Sequence, residues 1–326
     1  MSPHPTSRRP NPRPETRPRT RRNVREKGRG PLRRLGLLAA AAVLTPIVLP
    51  APGAAAAAHT AANLDGRYVA MGDSYAAGPG VPKLRVLSGL CARSTNNYPS
   101  VVARELAPRA FTDVSCTGAE TKHMTRRQHN NPPQYDALKP DTRVVTLTIG
   151  GNDADFFEIL ATCAVGGVLD RNGSPCRDKY TRGGGDALDA RIATTMPKIG
   201  EALRGIRERA PQATVFLVGY PAVLPDSKDK CAMDIPLARG DVPYLNEKIQ
   251  RFNQGLAAEA AANGAVFVDT YAPSVGHEAC QASGVRWIEG IEDVRGAIPV
   301  HPNARGMAGM AEAVLAAIRA AVPSAA

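Results

Sequence analysis

Five short runs of β-branched and other apolar residues recur along the chain, each ended abruptly by glycine or a polar residue. They are Tyr68–Met71 before Gly72-Asp73-Ser74, Phe111–Val114 before Ser115-Cys116-Thr117-Gly118, and Val144–Ile149 before Gly150-Gly151-Asn152-Asp153. Thr214–Val218 before Gly219 and Ala265–Val268 before Asp269 complete the set. Runs of this length and composition predict buried strands. Between them, apolar residues fall at helical spacing in Pro99–Leu106, Leu188–Arg209, Leu245–Ala262 and the Ala-rich Met307–Val322. Strands alternating with helices imply right-handed crossovers and a sheet covered on both faces. The pattern therefore predicts an α/β fold, a three-layer α/β/α sandwich around a mostly parallel sheet of about five strands. Ala161–Asp186, with Cys163, Cys176 and three consecutive glycines, reads instead as a long irregular loop that overhangs the carboxyl ends of the strands.

The first 58 residues break this pattern. They carry 12 Lys/Arg and two acids, followed by the apolar run Leu35–Leu44, a Pro-interrupted Ile47-Val48-Leu49, and the small-residue stretch Pro50–Ala58. A basic region, a short apolar region and small-residue cleavage sites in that order predict a secretory signal peptide that is removed. The apolar run is shorter than the ~20 residues of a transmembrane helix, so no integral span is expected in the mature form. The predicted organisation is a leader over 1–58 and one domain over 59–326. Charge follows the same division. The whole chain is +11, but +10 lies in the leader and only +1 in the body, which removes the argument for a nucleic-acid partner. The mature protein is expected to be extracellular and monomeric.

Export also bears on the cysteines. All six (Cys91, Cys116, Cys163, Cys176, Cys231, Cys280) lie in the body, and no spacing is C-x-x-C, which gives zinc or redox chemistry little support. An even set in an oxidising compartment points to disulfides, for which six cysteines allow 15 pairings. Pairing in sequence order, Cys91–Cys116, Cys163–Cys176 and Cys231–Cys280, is expected because each bridge closes a Gly/Pro/polar-rich segment; the other pairings stay open.

Open parallel sheets bind ligands outside the carboxyl ends of their strands, and three of those ends carry chemistry. Gly72-Asp73-Ser74-Tyr75 is a sharp turn exposing the Ser74 hydroxyl; Gly118 leaves a backbone N–H unobstructed; Gly150-Gly151-Asn152 allows close approach and supplies an amide donor. A nucleophile flanked by donors is what a tetrahedral acyl-transfer intermediate requires. Of the body's histidines, His59 is near the terminus, and His123 and His129 sit in a polar, Arg-rich stretch. His277 is close to Cys280, which favours a structural role. His301, in Ile298-Pro-Val-His-Pro-Asn303 just before the last helix, is the candidate base. Alone, Ser74 is indistinguishable from a helix-capping serine, while Asp73 and Asp153 read as turn supports. Trp287, the sole tryptophan, either lines an acyl site or packs in the core.

Taken together, Gly72-Asp73-Ser74-Tyr75, Gly118, Gly151-Asn152-Asp153 and His301-Pro302-Asn303 resemble the ordered blocks of the SGNH, or GDSL, hydrolases, over nearly all of residues 65–322. Cys91–Pro99, Gly240–Leu245 and Gly276–Cys280 further resemble secreted actinomycete lipases of that family, which carry three disulfides. The resemblance implies a flavodoxin-like fold and a serine esterase or lipase acting on lipid-like carboxylic esters without cofactor or metal. Ser74 is then the nucleophile and His301 the general base, with an oxyanion hole built from the Ser74 N–H, the Gly118 N–H and the Asn152 amide. A phospholipid or an acetylated carbohydrate as substrate, or a non-catalytic binding domain on the same fold, are the alternatives. One position departs from the family. Many members carry Asp three residues before the histidine, where this chain has Ile298; Glu292 and Asp293 lie nine and eight residues upstream. The expectation is a Ser–His dyad, its histidine oriented by a backbone carbonyl near Ile298.

Overall fold

In a computed structural model, residues 64–322 are described; the expected leader and His59 lie outside them. Five strands, β1 (Arg67–Gly72), β2 (Ala110–Asp113), β3 (Thr142–Thr148), β4 (Thr214–Val218) and β5 (Val266–Val268), pair in parallel in the order β2-β1-β3-β4-β5. Each lies within two residues of its predicted run.

The strands are apolar on both faces because both faces are covered. Along β1, Tyr68 and Ala70 point to one side and Val69 and Met71 to the other, all fully buried. Helices α2 (Tyr98–Leu106) and α7 (Ala304–Ala321) cover the first side through Val102, Leu106, Met310 and Val314. Helices α5 (Ala187–Arg209) and α6 (Asp241–Ala262) cover the second through Ile199, Leu203, Phe252 and Leu256. This is the predicted three-layer sandwich. Helix α6 starts one turn before the expected Leu245. Pro243 falls in its first turn, where a proline removes only an N–H that has no helical acceptor.

The irregular loop expected over Ala161–Asp186 is overturned. Helices α3 (Phe156–Leu169) and α4 (Pro175–Tyr180) occupy most of it. Helix α3 is apolar around most of its circumference, Glu158 and Thr162 apart, so it lacks the period that reveals a surface helix. Gly167 within it serves close packing: a Cβ there would fall 2.5 Å from Ala238 N. The cysteines pair as Cys91–Cys116, Cys163–Cys176 and Cys231–Cys280, with none free among the described residues. The second bridge ties α3 to α4. A third apolar cluster, including Ile159, Leu188, Val223, Leu245 and Val300, joins these helices to the loops after β4 and before α7.

Phe252 sits between two of these regions, its ring edge-on to Phe156 (4.8 Å) and Tyr220 (5.6 Å) and fully buried. Phe252→Ala is expected to cost about 3–5 kcal/mol in urea unfolding; a loss below about 1 kcal/mol would contradict this packing.

Candidate active site

The strand order reverses direction between β1 and β3, the switch point at which doubly wound sheets bind ligands. The segments that leave β1, β2 and β3 meet there. Strand β1 ends at Gly72, whose φ is +132° and whose Cβ, were there one, would lie 2.2 Å from the Thr148 carbonyl of β3. Only glycine permits that approach. The Gln134 side chain then brackets Gly72, accepting from its N–H (2.7 Å) and donating to its carbonyl (2.9 Å). Asp73 caps the single-turn helix α1 (Ser74–Ala77) by accepting from Tyr75 N at 2.9 Å. Ser74 is thereby the first helical residue, and its N–H has no protein acceptor among the described residues.

Ser74 Oγ lies 2.8 Å from His301 Nε2. On the other side of the ring, His301 Nδ1 lies 2.7 Å from the Pro299 carbonyl, which can only accept. Nδ1 therefore carries the proton, and Nε2 accepts from the serine. Burial lowers the His301 pKa below its usual value, the Pro299 contact opposing this only in part, so the ring is neutral at pH 7. The orienting carbonyl is that of Pro299, one residue on from Ile298, whose own carbonyl receives the His301 N–H at 3.3 Å. Asp293 is engaged elsewhere, accepting from Arg295 Nε at 2.8 Å and Arg286 Nη1 at 3.3 Å.

The histidine loop is held under local strain. Val300 adopts φ +62°, a left-handed conformation that β-branched residues avoid. Four hydrogen bonds fix it. Val300 N donates to Glu289 O (3.1 Å), Glu289 N donates to His301 O (2.9 Å), Tyr75 Oη donates to Val300 O (2.6 Å), and Asn303 N donates to Trp287 O (2.8 Å). Glu289 is itself anchored by the buried Arg286 guanidinium at 2.7 Å and by Asn303 Nδ2 at 3.1 Å. Asn303 also caps α7, accepting from Arg305 N and Gly306 N.

The donors converge from β2 and β3. Gly118 has φ +76° with only Gln128 Nε2 near a hypothetical Cβ, at 3.7 Å, so backbone conformation rather than crowding selects glycine there. Its N–H has no protein acceptor among the described residues. Asn152 Nδ2 donates one proton to Ala119 O at 2.8 Å, which fixes the amide and leaves its second proton free for a ligand. Asp153 ties the two loops together by accepting from Thr121 N (2.9 Å) and Thr121 Oγ1 (2.5 Å). Ser74, Gly118, Asn152 and His301 all border one cavity of about 300 Å³ whose remaining walls include Phe156, Leu160, Leu188, Val223, Leu224 and Ile249.

Several side chains that support the site have no motif in the sequence. Tyr220 Oη accepts from Gly151 N at 2.9 Å and donates to the Asp73 carboxylate, linking the ends of β1, β3 and β4. Tyr220 follows a predicted strand end, so the rule that marked Ser74 and Asn152 marks it as well. Glu289 and Arg286 gave no such signal. The remaining histidines stand apart. His123 Nδ1 accepts from Glu120 N (2.9 Å) in a turn cap, His129 occupies an exposed turn, and His277 stacks on Trp287 with centroids 4.9 Å apart. Trp287 packs over Gly309 of α7, which settles its open role in favour of packing.

The GDSL-like Lipase/Acylhydrolase family matches residues 70–308. The chain is 45% identical over 263 residues to "Lipase 2" of Streptomyces coelicolor, covering 79% of this chain and 87% of that protein. Among solved structures it is similar to phospholipase A1 from Streptomyces albidoflavus NA297, with a TM-score of 0.65 and 28% identity over 78% of this chain and 99% of that one. It is also similar to an extracellular lipase from Streptomyces rimosus, with a TM-score of 0.65 and 30% identity over 77% of this chain and 99% of that one.

Burial raises the Asp73 carboxyl from 3.8 to about 7, the Tyr220 hydrogen bond opposing it. The folded protein thus keeps a proton that the unfolded chain releases. This group's contribution to stability is fully present below about pH 4 and is lost as pH rises through about 7. Asp73→Asn removes the dependence, so the unfolding free energy of the parent relative to the variant is expected to decline from about pH 4 to 7 in urea titrations. A difference that does not change with pH would refute this ionisation.

Proposed function

The chain belongs to the GDSL-like lipase/acylhydrolase family, and from that premise we propose that it is an exported serine hydrolase of lipid carboxylic esters, with Ser74 as nucleophile and His301 as general base. The observation that carries the proposal is the 2.8 Å contact of Ser74 Oγ with His301 Nε2 beside unpaired donors at the end of an apolar cavity. Ser74 Oγ attacks the ester carbonyl while His301 Nε2 takes its proton. The tetrahedral oxyanion is held by the N–H groups of Ser74 and Gly118 and by the second Asn152 Nδ2 proton. His301 then protonates the leaving alcohol, and a water repeats the cycle to release the acid from Ser74.

The cavity supports an acyl chain as the recognised part of the substrate. An acetyl group would leave most of about 300 Å³ of apolar space empty, which favours lipid esters over acetylated carbohydrate. Export is supported by the basic, apolar and small-residue order of the first 58 residues and by the three disulfides. Among the described residues no helix is long and apolar enough to cross a membrane.

The experiment is hydrolysis of p-nitrophenyl esters of graded chain length. Ser74→Ala is expected to lower kcat by roughly 10⁶, and Asn152→Ala by roughly 10²–10³. Retention of activity by Ser74→Ala would end the proposal. Because the Pro299 carbonyl does the orienting, Asp293→Asn is expected to stay within about tenfold of the parent, whereas loss of a true triad carboxylate costs roughly 10⁴. With His301 shifted down, kcat/KM is expected to rise through an ionisation below pH 6.5 and then level off; a midpoint above 6.5 would contradict the burial of the base.

A further inference from the structure

Helix α3 presents apolar residues to solvent. Ile159, Cys163 and Gly167 face inward, while Phe157, Val165, Val168 and Leu169 are 63%, 65%, 61% and 84% exposed. Phe157, Ala161, Val165 and Val168 follow the spacing i, i+4, i+8, i+11 and so form one stripe, about 16 Å long at 1.5 Å per residue. A helix that is apolar all round is ordinarily buried, and among the described residues nothing covers this side. A second exposed apolar group lies on the 3-10 turn Val86–Cys91, where Val86, Leu87 and Leu90 are 92%, 99% and 70% exposed and Leu84 precedes them.

Each group is tied to a wall of the catalytic cavity. Phe157 belongs to the stripe and also lines the cavity. The turn is joined to the oxyanion side, since Cys91 O accepts from Thr117 N (3.2 Å) and Thr117 Oγ1 (2.9 Å), and Thr117 and Gly118 line the cavity. Resting on the lipid-ester reading above, we propose that these two apolar elements form a docking surface for a phospholipid bilayer, seating the cavity mouth on the membrane face. The choice of occupant follows from continuity. A second copy of the chain or a rigid protein partner lying across both groups would close the entrance. A fluid lipid surface instead supplies the ester, and its acyl chain passes from one apolar environment to another without crossing water.

The test separates docking from catalysis. Residues 64–322 hold the five-stranded sheet, the three core clusters and all six cysteines, and the two solved relatives are matched over 99% of their length by 78% and 77% of this chain; residues 59–326 are therefore used. Carrying Ser74→Ala, so that lipid is not consumed, this protein is expected to co-sediment with phosphatidylcholine vesicles. Leu87→Ser with Leu90→Ser, or Val165→Ser with Val168→Ser and Leu169→Ser, is expected to lower partitioning about tenfold or more in each case. With Ser74 restored, both sets are expected to hydrolyse soluble p-nitrophenyl acetate at the parent kcat/KM. Three results would each overturn the docking surface: no vesicle binding by the parent, unchanged binding by both sets, or conversion of a dimer to monomer by either set in analytical ultracentrifugation. Failure of the ester-hydrolase reading would show separately, as absence of Ser74-dependent turnover of the soluble ester.

Discussion

Ser74 Oγ and His301 Nε2 are 2.8 Å apart in space and 227 residues apart in the chain, and the rest of the structure is arranged around keeping them so. The serine side is fixed by the sheet. Strand β1 cannot end where it does without Gly72 against the Thr148 carbonyl, and the Gln134 bracket and Asp73 cap leave the next residue one direction in which to point. The histidine side has no strand to lean on. Its loop is seated by α7, which packs with α2 on the sheet, and by the hydrogen bonds around Val300 and Glu289. A left-handed valine is tolerated there only because its neighbours over-determine the conformation. The buried Arg286–Glu289 pair belongs to that restraint rather than to net stability, since burying both charges offsets much of their attraction, whereas losing one partner would cost about 3–5 kcal/mol.

The electrostatics of the site follow from this scaffold. Among the described residues no carboxylate is hydrogen-bonded to the imidazole. The Pro299 carbonyl fixes the Nδ1 tautomer without contributing a full charge, and burial keeps the ring neutral and ready to accept a proton. A dipole in place of a charge stabilises an imidazolium less, so more of the proposed transition-state stabilisation falls on the oxyanion donors. Those donors are already oriented: the Asn152 amide by Ala119, and the Gly118 loop through Asp153 and Thr121. Little rearrangement is then needed when charge develops on the substrate oxygen.

What the sequence revealed, and what it hid, divides along the range of the interactions involved. All five strands were legible because a parallel strand buried on both faces is a continuous apolar run, and β4 falls on its predicted residues. Ser74, Gly118 and Asn152 were legible because each follows an apolar run that stops on small or polar residues, and His301 because it stands in the loop just before the last helix. Helix α3 was not, because periodicity reports the boundary between core and water, and this helix is apolar on both sides of it. The irregular loop predicted there was wrong for that reason. The orienting carbonyl was legible only as one near Ile298, because which residue supplies it depends on Val300 adopting a positive φ, which nothing in a valine signals. Arg286 and Glu289 read as ordinary polar loop residues, and their role arises only when two segments fold against each other.

The central claim is that one serine, activated by a neutral and buried histidine without a carboxylate, carries the chemistry. Covalent labelling with a p-nitrophenyl alkylphosphonate tests it most directly, because the reagent leaves a stable adduct on the attacking oxygen. Peptide mapping by mass spectrometry should place a single adduct on Ser74, with a labelling rate that falls at acid pH and is lost in His301→Ala but persists in Asp293→Asn. An adduct on any other residue, or labelling as fast without His301 as with it, would contradict the account.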